Sequence, residues 1–281
     1  MDSFINTMYK VSVIVPIYNV ERFIERCVKS LMEQTLQDVE YIFVDDAATD
    51  NSMKILAATL AEYSDRNIQI LVHQENKGLP AARNTGLAVA TGEYVFHCDS
   101  DDYMEKDMLE ALYKKAKETD ADIVWCDWFL SFEKNERYMK QPSFSMPIDA
   151  LKAMLSGGMK YNVWNKLARR SLYIDNDIYF PAGFGMGEDQ TMMMLFACAK
   201  KVAYVPQAFY HYVKLNTGSF TRTPSMTHFN ALRHNVNRTV EFIKNKFGSR
   251  IIQWCAYKKQ FWIVRLYYQV IIRFVYGIIF R

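Results

Sequence analysis

The sequence predicts an α/β fold with a mostly parallel sheet flanked by helices, followed by a helical C-terminal extension. Two observations carry this. Short apolar, β-branched runs alternate with helical patterns four times within roughly a hundred residues, the rhythm of a parallel α/β sheet. Each run also ends in polar or acidic residues, which gathers those groups where ligands of such sheets bind, at the carboxyl ends of the strands.

The first run, Val11 to Pro16, is a strand whose end Pro16 marks. From Val20 to Met32 the apolar residues Phe23, Ile24, Cys27, Val28, Leu31 and Met32 recur at helical spacing. Val39 to Val44 is the second strand, closed by Asp45-Asp46, and a turn through Asn51 opens a helix carrying Ile55, Leu56 and Leu60. Ile68 to Val72 is the third strand and Leu79 to Ala90 the next helix, which Thr91-Gly92-Glu93 turns into a fourth strand at Tyr94. Beyond this point the pattern is less regular. Ile123 to Phe129 reads as a strand, Glu133 to Pro147 as a polar excursion, and Ala150 to Leu155 and Val163 to Leu172 as short helices. Three glycines make Phe180 to Gly187 a loop, which leads to Glu188-Asp189 and a helix from Met192 to Ala199. Val202 to Tyr212 reads as a strand pair, and the residues after about Ser225 as a helical tail.

At 281 residues, half of them apolar, the chain has the material for one large or two small domains. A net charge of +3 does not point to nucleic acid. The five cysteines are odd in number and scattered, which fits buried thiols in a reducing compartment rather than a zinc site or a disulfide framework. Met1 to Lys10 lacks an apolar signal core, so a cytoplasmic location is expected.

The strand beginning at Tyr94 runs into Asp99-Ser100-Asp101-Asp102, three carboxylates within four residues. Such crowding is costly without a cation nearby. A hard divalent ion, Mn2+ or Mg2+, is the natural partner, because it bridges carboxylates to substrate phosphates. An acidic cap on the next helix is the alternative, although a cap employs one aspartate and not three. No glycine-rich loop follows the first strand, so neither the dinucleotide fingerprint nor the P-loop applies, and a nucleotide must be held by side chains and a metal.

Four segments then stand out together: Val11-Ser12-Val13-Ile14-Val15-Pro16-Ile17-Tyr18-Asn19, Val44-Asp45-Asp46-Ala47-Ala48-Thr49-Asp50, Asn76-Lys77-Gly78-Leu79-Pro80-Ala81-Ala82-Arg83-Asn84, and Asp99-Ser100-Asp101-Asp102. In this order and spacing they resemble glycosyltransferase family 2, inverting enzymes with a Rossmann-like GT-A-type sheet that use nucleotide-diphosphate sugars. The resemblance is close over residues 11–110 and extends to about 221. It implies a nucleotide site formed by Pro16 and Tyr18, with Tyr18 stacked on the base and Asp46 accepting a hydrogen bond from it, which suits uridine. It places Asp99 near the ribose or the metal, Asp101 on the metal, and Arg83 facing the pyrophosphate. Asp189 is implied as the base that takes the acceptor's hydroxyl proton, with Glu188 orienting the acceptor or bonding to the loop; helix capping is the alternative for both. Trp164-Asn165-Lys166 resembles a segment near the acceptor, where stacking and hydroxyl bonding are expected; a buried tryptophan is the alternative. His97 is expected to pack in or beside its strand, and His211, Lys214 and Ser219 to cover the diphosphate. Ala47-Ala48 departs from the family's small residue followed by serine, so a looser turn is expected there, with both acids kept.

On this reading residues 1–10 are a lead, 11–120 the nucleotide-sugar-binding half, 121–225 the acceptor and catalytic-base half of the same domain, and 226–281 a helical basic-aromatic tail. After Glu241 no acidic residue remains, and Lys258, Arg265, Gln269 and Arg273 share one helical face. That pattern suits an in-plane helix on an anionic membrane, at the inner face of the cell membrane. A packing or homodimer-forming helix is the alternative. The expected function is inverting, metal-dependent hexosyl transfer from a UDP-sugar to a hydroxyl of a glycan or lipid-linked acceptor in cell-surface polysaccharide synthesis. Two other functions compete with it. A sugar nucleotidyltransferase uses a related sheet but begins with a glycine-rich turn, which Pro16-Ile17-Tyr18-Asn19 is not. A nucleotide-sugar-binding protein without turnover has no need of both Asp101 and Asp189.

Overall fold

The computed structural model describes residues 9–185, 188–214 and 226–249. Its first half is a parallel sheet of β1 (Val11–Ile17), β2 (Val39–Asp45), β3 (Asn67–Val72) and β4 (Tyr94–His97), in the order β3-β2-β1-β4. Helices α1 (Ile24–Met32), α2 (Ser52–Leu60) and α3 (Leu79–Val89) make the crossovers. Every residue of β1 and β2 is buried, which is why both read as unbroken apolar runs. The register sets Ile17 beside Asp45, and Asp45 beside Val72, so the strand ends form one edge.

One buried acid ties this half together. Glu40 Oε1 accepts from the Ser12 hydroxyl (2.5 Å) and from the backbone N–H of Thr91 (2.7 Å) and Gly92 (3.1 Å). A Cβ on Gly92 would sit 2.6 Å from the Ser12 backbone nitrogen and 2.8 Å from the Val11 carbonyl carbon. Gly92→Ala should therefore lower stability by about 1–3 kcal/mol, the usual cost of overpacking. Urea unfolding checks this, and an unchanged midpoint would show that the turn can yield.

The second half continues the sheet through short β5 (Tyr103–Met104), then β6 (Ile123–Ser131), β7 (Glu136–Met139), β8 (Lys166–Arg169) and β9 (Val202–Val213). The full order is β3-β2-β1-β4-β8-β6-β9-β5, with β7 paired to β6 as a hairpin. Among the described residues four pairings are parallel and four antiparallel. The sheet is thus parallel up to β4 and mixed beyond it. Around it lie α4 (Met108–Thr119), α5 (Pro147–Ser156), α6 (Arg170–Asp175), a 3-10 turn (Glu188–Gln190), α7 (Thr191–Cys198) and α8 (Met226–Phe247).

Three sequence expectations change here. Val163 to Leu172 is not one helix: it contains β8, wedged antiparallel between β4 and β6, and only then turns into α6. Val202 to Tyr212 is a single strand rather than a pair. Its register to β6 jumps from Val205 opposite Cys126 to Ala208 opposite Asp127, so Pro206 and Gln207 bulge outward and proline's missing donor is harmless. The polar excursion after Glu133 holds β7, and α4 is a further helix, with Met108, Leu109, Leu112 and Ala116 buried on one face.

The described part of the tail does not project. Helix α8 packs on α7 and the 3-10 turn, burying Ala231, Leu232, Asn235, Val236, Thr239 and Ile243. The basic-aromatic stretch from Trp254 onward lies outside the described residues. Among those described, no helix is long and apolar enough to cross a membrane.

Candidate active site

The carboxyl edge of β1, β2 and β3 carries the residues expected at a nucleotide site. Pro16 is enclosed opposite Val44, whereas Tyr18 follows the strand end with 46% of its surface open. Asp46 is 2% exposed. Its Oδ1 accepts from His73 Nδ1 (2.7 Å) and the Lys77 N–H (2.8 Å), and its Oδ2 accepts from the Gly78 N–H (2.8 Å). His73 Nε2 bonds the Thr85 hydroxyl (2.9 Å), which fixes the ring. A carboxylate offers about four lone-pair positions, so these three bonds leave room on Oδ2 for one further donor. Beside this pair a cavity of about 440 Å3 is lined by Val72, His73, Gln74, Glu75 and Lys77.

The turn after β2 is not loosened by its alanines. Asp45 Oδ1 accepts from the Ala48 N–H (2.8 Å), and Asn19 Oδ1 accepts from the Thr49 N–H (2.8 Å). Ala47 takes a left-handed conformation (φ 59°), so the cost falls on backbone strain rather than on order.

The three crowded carboxylates are treated in different ways. Asp102 is fully buried and accepts the Val213 N–H from β9 (2.7 Å). Burial, with repulsion from Asp101 and Asp99, pushes its carboxyl well above the usual carboxylate range. Asp99 accepts Arg83 Nη2 (2.9 Å), and its backbone N–H donates to the Tyr210 hydroxyl (3.1 Å). Asp101 stays partly exposed.

Arg83 is the junction of the site. It is 1% exposed, lies 5.3 Å over the Phe180 ring, and donates from Nη1 to Asp189 Oδ1 (2.9 Å) while Nη2 holds Asp99. Its guanidinium thus joins one carboxylate just past β4 to another in the 3-10 turn and is enclosed, rather than open towards a pyrophosphate. The neighbouring Asn84 locks the same region by exchanging two 2.8 Å bonds with the backbone of Phe180. Asp189 sits in the 3-10 turn with 22% of its side chain open. Burial raises its carboxyl above the ordinary range; Arg83 pulls it down and Asp99 pushes it up. A partly open carboxylate with elevated basicity is what proton abstraction near neutral pH requires. Glu188 shares the turn.

The remaining sequence candidates are enclosed. Trp164 is 4% exposed, stacked on Tyr210 (4.7 Å) and Tyr212 (5.2 Å), and so presents no open face to a sugar. Asn165 donates to the Cys126 carbonyl (2.8 Å). Lys166 donates to the Asn162 carbonyl (2.7 Å) and to Asn165 Oδ1 (2.8 Å). Burial brings the Lys166 pKa down to about 7, while the charge of Asp189 works the other way. All three are thus buried, and Lys166 lies close enough to Asp189 to feel its charge. His97 is buried as expected, bonded to the Tyr173 hydroxyl (3.3 Å) and kept neutral by burial and by Arg83. His211 is enclosed between Tyr103 and Phe129, and its nitrogens meet Glu136 (2.7 Å) and Glu105 (2.9 Å), so it does not turn towards a diphosphate. Lys214 bonds Tyr212, and Ser219 lies outside the described residues.

The donor set suits a hard cation in chemistry but is not assembled in advance. Asp99 and Asp101 offer oxygen, yet among the described residues no three metal-capable side chains form a cluster. Mg2+-type sites are commonly of this kind, one or two carboxylates completed by substrate phosphates and water.

The chain matches the glycosyl transferase family 2 profile over residues 12–189, a span that includes the carboxyl edge of the sheet, the carboxylate run and Asp189. It belongs to glycosyltransferase family 2. The family 2 chain is 34% identical over 226 residues to the glycosyltransferase GlyG of Streptococcus pneumoniae, covering 76% of itself and 73% of GlyG. It is 30% identical over 218 residues to the poly(ribitol-phosphate) β-N-acetylglucosaminyltransferase TarS of Staphylococcus aureus, covering 75% of itself and 36% of TarS. The structure of TarS residues 1–349 with UDP-GlcNAc shares the GT-A fold, with a TM-score of 0.66 at 24% identity over 85% of this chain and 74% of that one. A mannosyltransferase of Pyrobaculum calidifontis, solved with GDP-Man and Mn2+, aligns with a TM-score of 0.59 at 19% identity, over 87% of this chain and 70% of that one. Membership of this transferase family decides against the nucleotidyltransferase reading.

Proposed function

We propose that this glycosyltransferase is an inverting, metal-dependent hexosyltransferase that moves a sugar from a UDP-sugar to a hydroxyl of a glycan or lipid-linked acceptor in cell-surface polysaccharide synthesis. The observation that carries it is the Asp99–Arg83–Asp189 junction, which fixes a basic carboxylate against the donor edge of the sheet. The uridine choice is supported by Asp46 beside an open Tyr18 and by the UDP-GlcNAc bound to TarS. The polymeric acceptor is supported by the poly(ribitol-phosphate) in the name of TarS.

In the reaction the acceptor oxygen attacks the anomeric carbon from the face opposite the diphosphate. The bond from that carbon to the phosphate oxygen breaks, UDP leaves with the electron pair, and the hydroxyl proton passes to Asp189. A divalent ion, held by Asp101 with Asp99, would neutralise charge on the departing diphosphate when bound. Arg83 keeps Asp189 at a fixed position and Asn84 holds the loop before it; Asp46 and Tyr18 hold the base. Metal-stimulated hydrolysis of UDP-glucose or UDP-N-acetylglucosamine should disappear in Asp101→Ala with the fold intact. Full stimulation in that variant would remove Asp101 from the metal.

The segment beyond Gly248 is proposed to hold the enzyme on anionic membranes, each basic residue near such a surface contributing about 1 kcal/mol. Truncation after Gly248 keeps α8 and should abolish sedimentation with phosphatidylserine vesicles at low salt. Equal sedimentation of both forms would favour a packing helix.

A further inference from the structure

We propose that helix α8 holds the catalytic-base loop in its working position, with Arg238 as the positioning residue. The proposal rests on the reading of Asp189 as the base. Arg238 Nη2 donates to the Tyr179 carbonyl, and its Nη1 donates to the Thr191 hydroxyl (3.3 Å). Tyr179 precedes the glycine-rich loop and Thr191 opens α7 two residues after Asp189, so one guanidinium ties both ends of the segment that carries the base.

Two further contacts grip the same segment from α8. Asn235 is 1% exposed and donates from Nδ2 to the Phe184 carbonyl (2.9 Å), while His234 stacks on the Phe184 ring at 3.8 Å and 9°. Helix α3 supplies the other hold, through Asn84 on Phe180. The loop closes a turn of its own, from the Phe184 N–H to the Pro181 carbonyl (3.0 Å), but Ala182 and Gly183 are exposed and Gly183 has φ 81°. Fixing exposed residues costs backbone entropy, so contacts from outside the loop are needed to set its geometry. An arginine suits this place because its planar fork bonds two acceptors at once, whereas a lysine offers a single mobile point. A residue of the C-terminal extension thereby sets where the base stands.

The test uses the full-length chain with Arg238→Met, Arg238→Lys and Asp189→Asn. UDP affinity in the presence of Mn2+, kcat and KM for UDP-glucose and UDP-N-acetylglucosamine hydrolysis, and amide exchange at residues 180–185 are measured. Arg238→Met should lower kcat about tenfold to a hundredfold, the cost of a base displaced by about an ångström. UDP affinity and donor KM should stay unchanged, exchange in the loop should rise, and Arg238→Lys should recover part of the loss. Wild-type kcat or unchanged loop exchange in Arg238→Met would overturn the proposal. So would a parallel loss of UDP affinity and kcat, which marks a general structural role. If Arg238→Met does not fold, Arg238→Lys carries the same readings. Turnover that survives in Asp189→Asn removes the base reading itself, whereas an inactive Asp189→Asn beside a fully active Arg238→Met removes only the role of α8.

Discussion

Replacing Asp189 by asparagine should lower sugar transfer by about a hundredfold to ten-thousandfold and leave UDP binding intact. The amide keeps the shape of the carboxylate, and its oxygen can still accept Arg83 Nη1, but it cannot take the acceptor's proton. The proposed nucleotide edge, built from Tyr18, Asp46 and His73, does not depend on this side chain. The pH profile should carry the same signature. Burial, aided by Asp99, raises the Asp189 carboxyl against the pull of Arg83. The working form is the anion, so the wild-type rate should fall as pH drops through a value above the ordinary carboxylate range. That acid limb should be missing from the residual activity of Asp189→Asn. If binding and turnover fell together, Asp189 would be structural and the proton would go elsewhere.

Arg83→Met should cost both stability and turnover. It leaves Asp99 and Asp189 in a largely buried place without the cation between them. Removing one partner from a buried ionic group typically destabilises by about 3–5 kcal/mol, and the lower end applies because both carboxylates keep about a fifth of their surface open. Without Arg83 the Asp189 carboxyl, already raised by burial, loses the charge that pulls it down and gains a proton more readily in the folded state than in the unfolded chain. The destabilisation should therefore be greatest near neutral pH and shrink as the pH falls and Asp189 protonates. Urea midpoints at several pH values check this, and a loss independent of pH would point to packing rather than charge. Arg83→Lys should not restore transfer, since a single ammonium cannot reproduce a fork that holds two carboxylates.

The parallel half of the fold was legible because β1 and β2 are buried on both faces and read as continuous apolar runs that stop at polar residues. The same burial made β8 illegible. Leu167 and Ala168 are enclosed together with Lys166, so the segment shows no alternation, and Val163, Trp164, Leu167 and Leu172 mimic a helical face. Val202 to Tyr212 reads as a strand pair but is one strand with a bulge at Pro206-Gln207, a distinction that depends on the neighbouring strand. In the site, each carboxylate was identifiable from its place at a strand or loop end. What joins them was not. A buried arginine in the apolar stretch Leu79–Ala90 does signal an ionic partner, yet nothing local says that Arg83 has two, 16 and 106 residues away. The His73–Asp46 bond likewise spans 27 residues and shows only once β2 and β3 are paired. The apolar positions of α8 announce a helix, but not that it meets the loop before Asp189.

The central claim is inverting transfer driven by Asp189, and its most direct test is the configuration of the first product. The full chain is incubated with Mn2+ and an α-linked donor, UDP-glucose or UDP-N-acetylglucosamine, and the released sugar is followed by proton NMR before its anomers equilibrate. Attack from the face opposite the diphosphate predicts that the β-anomer forms first. Initial release of the α-anomer would contradict the account, because it requires retention at the anomeric carbon and a different role for Asp189.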